Sequence, residues 1–395
     1  MRLAGGGVAY PLQLVAYGGA VVAAAFLLAW ACEAAQVDVA HGLVVAVVAF
    51  VAILPEYIVE VHFAFTGQAA YVTANLTGAS RLLLGCAVAL PAAVALFPGG
   101  HRIGPLELPK PHRVEIAILA VGAVWSMRSV LSGRLTLFDA AVLISLYVIY
   151  LRRAAAADGE SPEPLGVAAH LAALPQAQRR GWVARLMLYA AAVILLTAVP
   201  FGDAVLGAGA LVGISPYLLL QWIVPVATET PELVVAYVLL THGRGGQSIA
   251  VLLAGAVSQY TLALGTLPLA YAAGPALGPL PLAGRERVEL FLTVGVALYA
   301  VATLVSLRLS RGDSSIMLAL FAGQLVVPGV IWRLLFAVVF WAVALDVLVA
   351  ERRQLPALFR ELWPAAPRQR RAHGRHGRSR RPSRAEAAGN RSHRR

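Results

Sequence analysis

Long apolar runs separated by short polar stretches dominate the chain. Eleven runs, at about 11–32, 39–66, 69–97, 114–131, 135–151, 183–207, 211–241, 247–273, 288–308, 314–329 and 332–350, approach or exceed the roughly 20 residues that a helix needs to cross a hydrocarbon core of about 30 Å. The pattern predicts an all-α membrane protein with 10–11 transmembrane helices, the last two runs being readable as one broken unit. The first run, Pro11 to Cys32, exceeds a signal-peptide core and is read as a true span. Composition agrees: of 395 residues, 59% are hydrophobic and only 13% charged, against about 25% charged in a soluble domain. Cys32 and Cys86 lie in apolar runs and are read as packed thiols, not as a disulfide or metal site.

Charge is concentrated at one end. Fourteen Arg against three Glu lie from Glu351 onward, so that segment carries eleven of the twelve net positive charges. Residues 351–395 are therefore expected to be a basic disordered tail touching anionic lipid. No folded nucleic-acid-binding module accompanies the charge, so a nucleic-acid partner is not expected. The Lys/Arg bias of the loops puts the N-terminus outside and the C-terminus in the cytoplasm. The bias toward Arg, Ala, Val and Leu fits a high-GC bacterial gene, hence a plasma-membrane protein. Residues 152–182, with Gly, Pro and a short helical stretch ending at Trp182, read as a cytoplasmic linker between two transmembrane halves, 1–151 and 183–330. Residues 331–350 are then an extra C-terminal helix.

The halves repeat one another. Arg113-Val114-Glu115-Ile116 matches Arg287-Val288-Glu289-Leu290, and Leu54-Pro55-Glu56 matches Thr230-Pro231-Glu232. Downstream, Gly78-Ala79-Ser80-Arg81 corresponds to Gly255-Ala256-Val257-Ser258-Gln259. Five spans separate equivalent elements. An odd number forces opposite orientations, so these are two inverted five-helix repeats, an arrangement typical of secondary transporters.

Each repeat carries a carboxylate beside a proline in an apolar run. A mid-helix proline removes one hydrogen bond and crowds the carbonyl four residues back, which would free the Val51 oxygen near Glu56 and the Ala227 oxygen near Glu232. Glu60 lies one turn from Glu56 on the same face. Glu229 accompanies Glu232, with Thr228 and Thr230 beside it. A carboxylate at the bilayer centre costs about 2.5–3.5 kcal/mol on insertion scales, so several of them call for cations, protons or partners. Oxygen-rich sites of this kind suit Ca²⁺ and Na⁺. Asn75, Ser80, Ser258 and Gln259 add further oxygens from small, polar turns. Arg81 cannot lose its charge. It must find a carboxylate, with Glu56, Glu60, Glu229 and Glu232 as the expected partners, or else snorkel to the surface. Glu115 and Glu289, at span ends, read as interfacial anchors.

These motifs resemble the calcium/cation antiporter superfamily, which includes the sodium/calcium exchangers. The resemblance covers about residues 11–330. It implies two inverted five-helix halves, with Glu56 and Glu232 as central cation-binding carboxylates. Thr228, Thr230, Ser258, Gln259, Asn75 and Ser80 would be supporting ligands. Two positions depart from the family pattern: Leu54 stands where a small hydroxyl residue is usual, and Arg81 stands opposite Gln259. The expected function is secondary antiport of Ca²⁺ against Na⁺ or H⁺ by alternating access, with no cofactor beyond the transported ions. The alternatives are a Na⁺/H⁺ antiporter of the same fold and a transporter-like, non-transporting sensor. An enzyme acting on lipid would need a clustered His/Asp or metal motif, which is missing, so no enzymatic activity is expected. Oligomeric state is left open.

Overall fold

The computed structural model describes residues 10–35, 37–38, 53–96, 105–156, 164, 166–327, 329–360 and 362. Nearly all of them are helical. The helices are α1 (Tyr10–Ala35), α2 (Leu54–Phe65), α3 (Ala69–Leu96), α4 (Arg113–Ser132), α5 (Leu137–Ala156), α6 (Gly166–Ala172), α7 (Gln176–Val212), α8 (Pro216–Thr241), α9 (Gly245–Ser258), α10 (Leu264–Ala273), α11 (Gly284–Leu304), α12 (Arg311–Val326), α13 (Val330–Ala350) and α14 (Leu355–Arg360). A π turn, Gln259–Ala263, joins α9 to α10. Among the described residues, eight helical stretches are long and apolar enough to cross a membrane. Ten of the eleven predicted spans are each matched by a helix, with α9 and α10 together forming one; of the second, 39–66, only residues from 53 onward are described, and α2 covers 54–65 of it. The predicted linker is partly helical: α7 begins at Gln176 and continues without a break into its span. The tail beyond residue 362 lies outside the described residues.

Four short strands pair across the repeats. β1 (Leu106–Glu107) runs antiparallel to β4 (Arg308–Leu309), and β2 (Arg134–Leu135) runs antiparallel to β3 (Leu280–Pro281). The first pair joins the α3–α4 connection to the α11–α12 connection, and the second joins α4–α5 to α10–α11. The two pairs are therefore equivalent under the repeat. Arg308 reinforces the first by donating to Glu107 at 2.5 Å, and Arg287 donates to the Val130 carbonyl at 2.8 Å beside the second.

Helix α11 is the most enclosed span, with residues 292–305 buried throughout. It packs against α3, α4 and α13, while α1 lies along α7 at the other side of the bundle. Beyond the end of α1, Asp38 accepts from Arg179 at 2.6 Å and 2.8 Å, tying that connection to the start of α7. The guanidinium holds the Asp38 carboxyl below the usual carboxylate range. Cys32 and Cys86 are separate free thiols.

Helix α3 crosses α8 closely at Gly78. Pro225, inside α8, has no N–H to offer the Gln221 carbonyl, which is left open. Gly78 lies against that oxygen, and a Cβ there would stand 1.8 Å from it. Small residues permit this kind of approach between membrane helices. Gly78→Ala should therefore destabilise by about 1–3 kcal/mol through overpacking, outweighing the roughly 1 kcal/mol that Ala gains in helix propensity. Thermal unfolding in detergent reads the difference, and an unchanged midpoint would refute the crossing.

Candidate cation site

Four elements bring polar side chains to one buried point. Helix α2 starts at Leu54, so Pro55 stands in its first turn, where a missing N–H costs nothing. The break expected at Pro55 turns on residues 39–52, which, with the Val51 carbonyl, lie outside the described residues. Glu56 and Glu60, one turn apart on α2, are both buried. Asn75 of α3 donates through Nδ2 to Glu60 Oε1 (3.3 Å) and to Glu56 Oε1 (3.5 Å). Gln259, in the π turn, donates through Nε2 to Glu56 Oε2 and to Glu229 Oε1 of α8, the latter at 3.4 Å. Each amide thus joins two carboxylates, and Glu56 belongs to both pairs.

The unpartnered atoms here are all oxygens. Glu60 Oε2, Asn75 Oδ1 and Gln259 Oε1 are buried without a hydrogen-bond partner. An unmet acceptor in a low-dielectric interior calls for a donor or a cation. Among the described residues no group of three His, Cys, Asp or Glu side chains already surrounds a metal position: the amides stand between the carboxylates.

The other expected ligands divide. Ser80 is buried and lines a small cavity with Thr77, Gln259 and Thr293. Thr228 spends its hydroxyl on its own helix, donating to the Val224 (3.1 Å) and Pro225 (3.3 Å) carbonyls. Ser258 likewise donates to Ala254 at 3.2 Å. Thr230 donates to the Val226 carbonyl on the exposed side of α8, away from the carboxylates. Glu232 is half-buried one turn beyond Glu229, and its Oε2 has no partner. The second-repeat carboxylate joined to Glu56 through Gln259 is therefore Glu229, not the motif-equivalent Glu232.

Arg81 is turned away from this group. Its Nη1 lies 2.9 Å from Glu289 Oε2 and donates to Gln324 Oε1 at 3.2 Å, and its Nε donates to the Thr77 carbonyl at 3.0 Å. The guanidinium lies 5.3 Å from the centre of the Trp222 ring. Arg333 of α13 approaches the other Glu289 oxygen at 3.6 Å and donates to the Gln324 carbonyl at 2.5 Å. The expected pairing of Arg81 with Glu56, Glu60, Glu229 or Glu232 is thus replaced by a pair with Glu289. Glu289 is no interfacial anchor either, since it is buried with its two guanidinium partners. Glu115 lies 3.5 Å from His112 and is partly exposed.

A single extra residue explains why Arg81 and Gln259 point differently. Arg81 follows Gly78 by three positions, whereas Gln259 follows Gly255 by four. At 3.6 residues per turn this rotates the side chain by about 100°. The π turn that follows absorbs the surplus residue, as such bulges do at functional sites. The unequal motif lengths were the available signal. Gln221, Gln324 and Arg333, missed as site-related residues, had a weaker one: each is a lone polar group in an apolar run.

A family model described as "Sodium/calcium exchanger protein" matches residues 9–154 and 182–330. Among solved structures, the chain is similar to the "Crystal Structure of H+/Ca2+ Exchanger CAX", with 35% sequence identity, TM-score 0.85, and coverage of 90% of this chain and 91% of that one. It shares its fold, at 17% identity and TM-score 0.53, with the sodium-calcium exchanger NCX_Mj soaked with 100 mM Na⁺ and 10 mM Sr²⁺, covering 80% of this chain and 99% of that one. A search of curated proteins finds no match.

Proposed function

The chain belongs to the sodium/calcium exchanger protein family, and on that premise we propose that it is a secondary antiporter exchanging Ca²⁺ for H⁺. The observation that carries this is the set of three buried carboxylates, Glu56, Glu60 and Glu229, joined by two amides and surrounded by unpartnered oxygens. One Ca²⁺ or two protons can neutralise two carboxylates, so either occupant lifts the cost of holding charge in the membrane. Mutually exclusive occupancy of one site is the chemical basis of exchange. Alternating access, opening the site to each side in turn, converts that competition into antiport.

Coupling to H⁺ instead of Na⁺ is supported by the ligands that are missing. Leu54 supplies no hydroxyl, and Arg81, Thr228, Thr230 and Ser258 direct their polar atoms elsewhere. What remains is rich in protonatable carboxyls and poor in the neutral oxygens that additional Na⁺ ions would need. The structural relative with 35% identity is named as an H⁺/Ca²⁺ exchanger. With Arg81 engaged by Glu289, the reason to favour a non-transporting sensor weakens. We place the chain in the bacterial plasma membrane, N-terminus outside, with the basic tail at the anionic cytoplasmic surface and with inorganic cations as its only substrates.

The test uses purified protein in liposomes and radioactive Ca²⁺. One set is driven by an outward Na⁺ gradient at matched pH, the other by a pH gradient without Na⁺. Uptake is expected only with the pH gradient. Uptake requiring Na⁺ would establish Na⁺/Ca²⁺ exchange instead, and no Ca²⁺ flux in either set would move the assignment to Na⁺/H⁺ exchange or to a sensor.

A further inference from the structure

Asn75 and Gln259 each present the same chemical problem. Nδ2 of Asn75 donates to Glu56 and Glu60, while its Oδ1 is buried and unpartnered. Nε2 of Gln259 donates to Glu56 and Glu229, while its Oε1 is likewise unpartnered. Both residues are fully or almost fully enclosed. A cation lying between either pair of carboxylates could not coexist with an amide NH₂ in that place, because both are positive toward the same oxygens. It would need the amide oxygen. The Asn and Gln amides each carry a donor and an acceptor on one rotatable plane.

We propose that Asn75 and Gln259 act as donor–acceptor switches, turning NH₂ toward the carboxylates when no metal lies between them and turning the amide oxygen inward to ligate Ca²⁺ when one does. This rests on the proposed function in taking Ca²⁺ as the cation. Gln259 lines the small cavity with Thr77, Ser80 and Thr293. Hydroxyls there can donate to or accept from whichever end of the amide is turned outward. The π turn leaves this segment without the regular i to i−4 ladder, which makes a change of side-chain setting easier than in a continuous helix.

The switch predicts a separation of binding from turnover. Gln259→Glu and Asn75→Asp keep an acceptor and lose the donor. They should bind Ca²⁺ at least as tightly as the wild type, since each adds a carboxylate ligand, while exchange falls about tenfold or more because the metal-free arrangement is no longer stabilised. Gln259→Met, which offers neither, should lose binding and exchange together. The full-length wild type supplies an independent readout: in isotope-edited infrared spectra with labelled Gln, a side-chain carbonyl band missing from Gln259→Met should shift on Ca²⁺ addition. Wild-type exchange rates in Gln259→Glu, or a band unmoved while calorimetry records Ca²⁺ binding, would overturn the switch alone. A wild type that binds no Ca²⁺ would overturn the proposed function and the switch with it.

Discussion

Glu56→Gln is expected to abolish Ca²⁺ transport, lowering it by at least about a hundredfold, with the protein still folded. Glu56 alone touches both amides, one oxygen to Asn75 and the other to Gln259. The substitution keeps the size but removes a charge that a cation would bind directly, and it brings an NH₂ group toward amides that already offer theirs. A hundredfold loss corresponds to about 2.7 kcal/mol, within the range for a hydrogen bond to a charged group. Glu229→Gln should be comparably severe, because Glu229 shares Gln259 with Glu56. Glu232→Gln, one turn on and bonded to neither amide, should cost less, about tenfold. Reconstituted Ca²⁺ uptake, alongside size-exclusion profiles, orders the three. Full transport by Glu56→Gln would refute the site, and a Glu232 effect larger than that of Glu229 would return the second repeat to its motif-equivalent carboxylate.

The largest loss of stability is expected at Glu289, not in the cation site. Glu289→Leu leaves Arg81 and Arg333 buried beside each other without the carboxylate between them. Removing one partner of a buried ion pair costs about 3–5 kcal/mol, because the remaining charge is stranded in a low-dielectric interior. Gln324 still accepts from both guanidiniums, which softens the loss without supplying charge. Adding Arg81→Leu to Glu289→Leu should recover part of the loss, since it removes one stranded charge. Tryptophan fluorescence during thermal unfolding in detergent measures the ranking. A Glu289→Leu midpoint equal to that of the wild type would show that the pair carries no such strain. Ca²⁺ affinity of the folded Glu289→Leu fraction should stay within about threefold of wild type, because its carboxylate does not touch the Glu56 group.

These two expectations differ in how they could be reached. Glu56 was visible in the chain because a carboxylate in an apolar run is costly and rare, and its neighbour at one helical turn, Glu60, followed from helix periodicity. Glu289 was misjudged because a carboxylate at the second position of the apolar run 288–308 resembles an interfacial anchor. Its partner Arg81 is 208 positions away, a separation taken from the residue numbers, and no local pattern joins them. The choice between Glu229 and Glu232 was equally out of reach, since three residues on a helix differ only in rotation and in which neighbour they meet.

The sequence by itself determined the membrane class, the order of the helical runs, the inverted repeat and the acidic positions that the fold buries. Those properties follow from hydrocarbon burial and helix periodicity, which act on each segment alone. The tertiary structure decided the rest. It drew Arg81 to Glu289 and turned Gln259 into the carboxylates by one surplus residue at the start of a π turn. It also made Gly78 the seat of the Gln221 carbonyl. Each of these depends on the rotation of one helix against another, and rotation is set by side chains that are neighbours only after the bundle has packed.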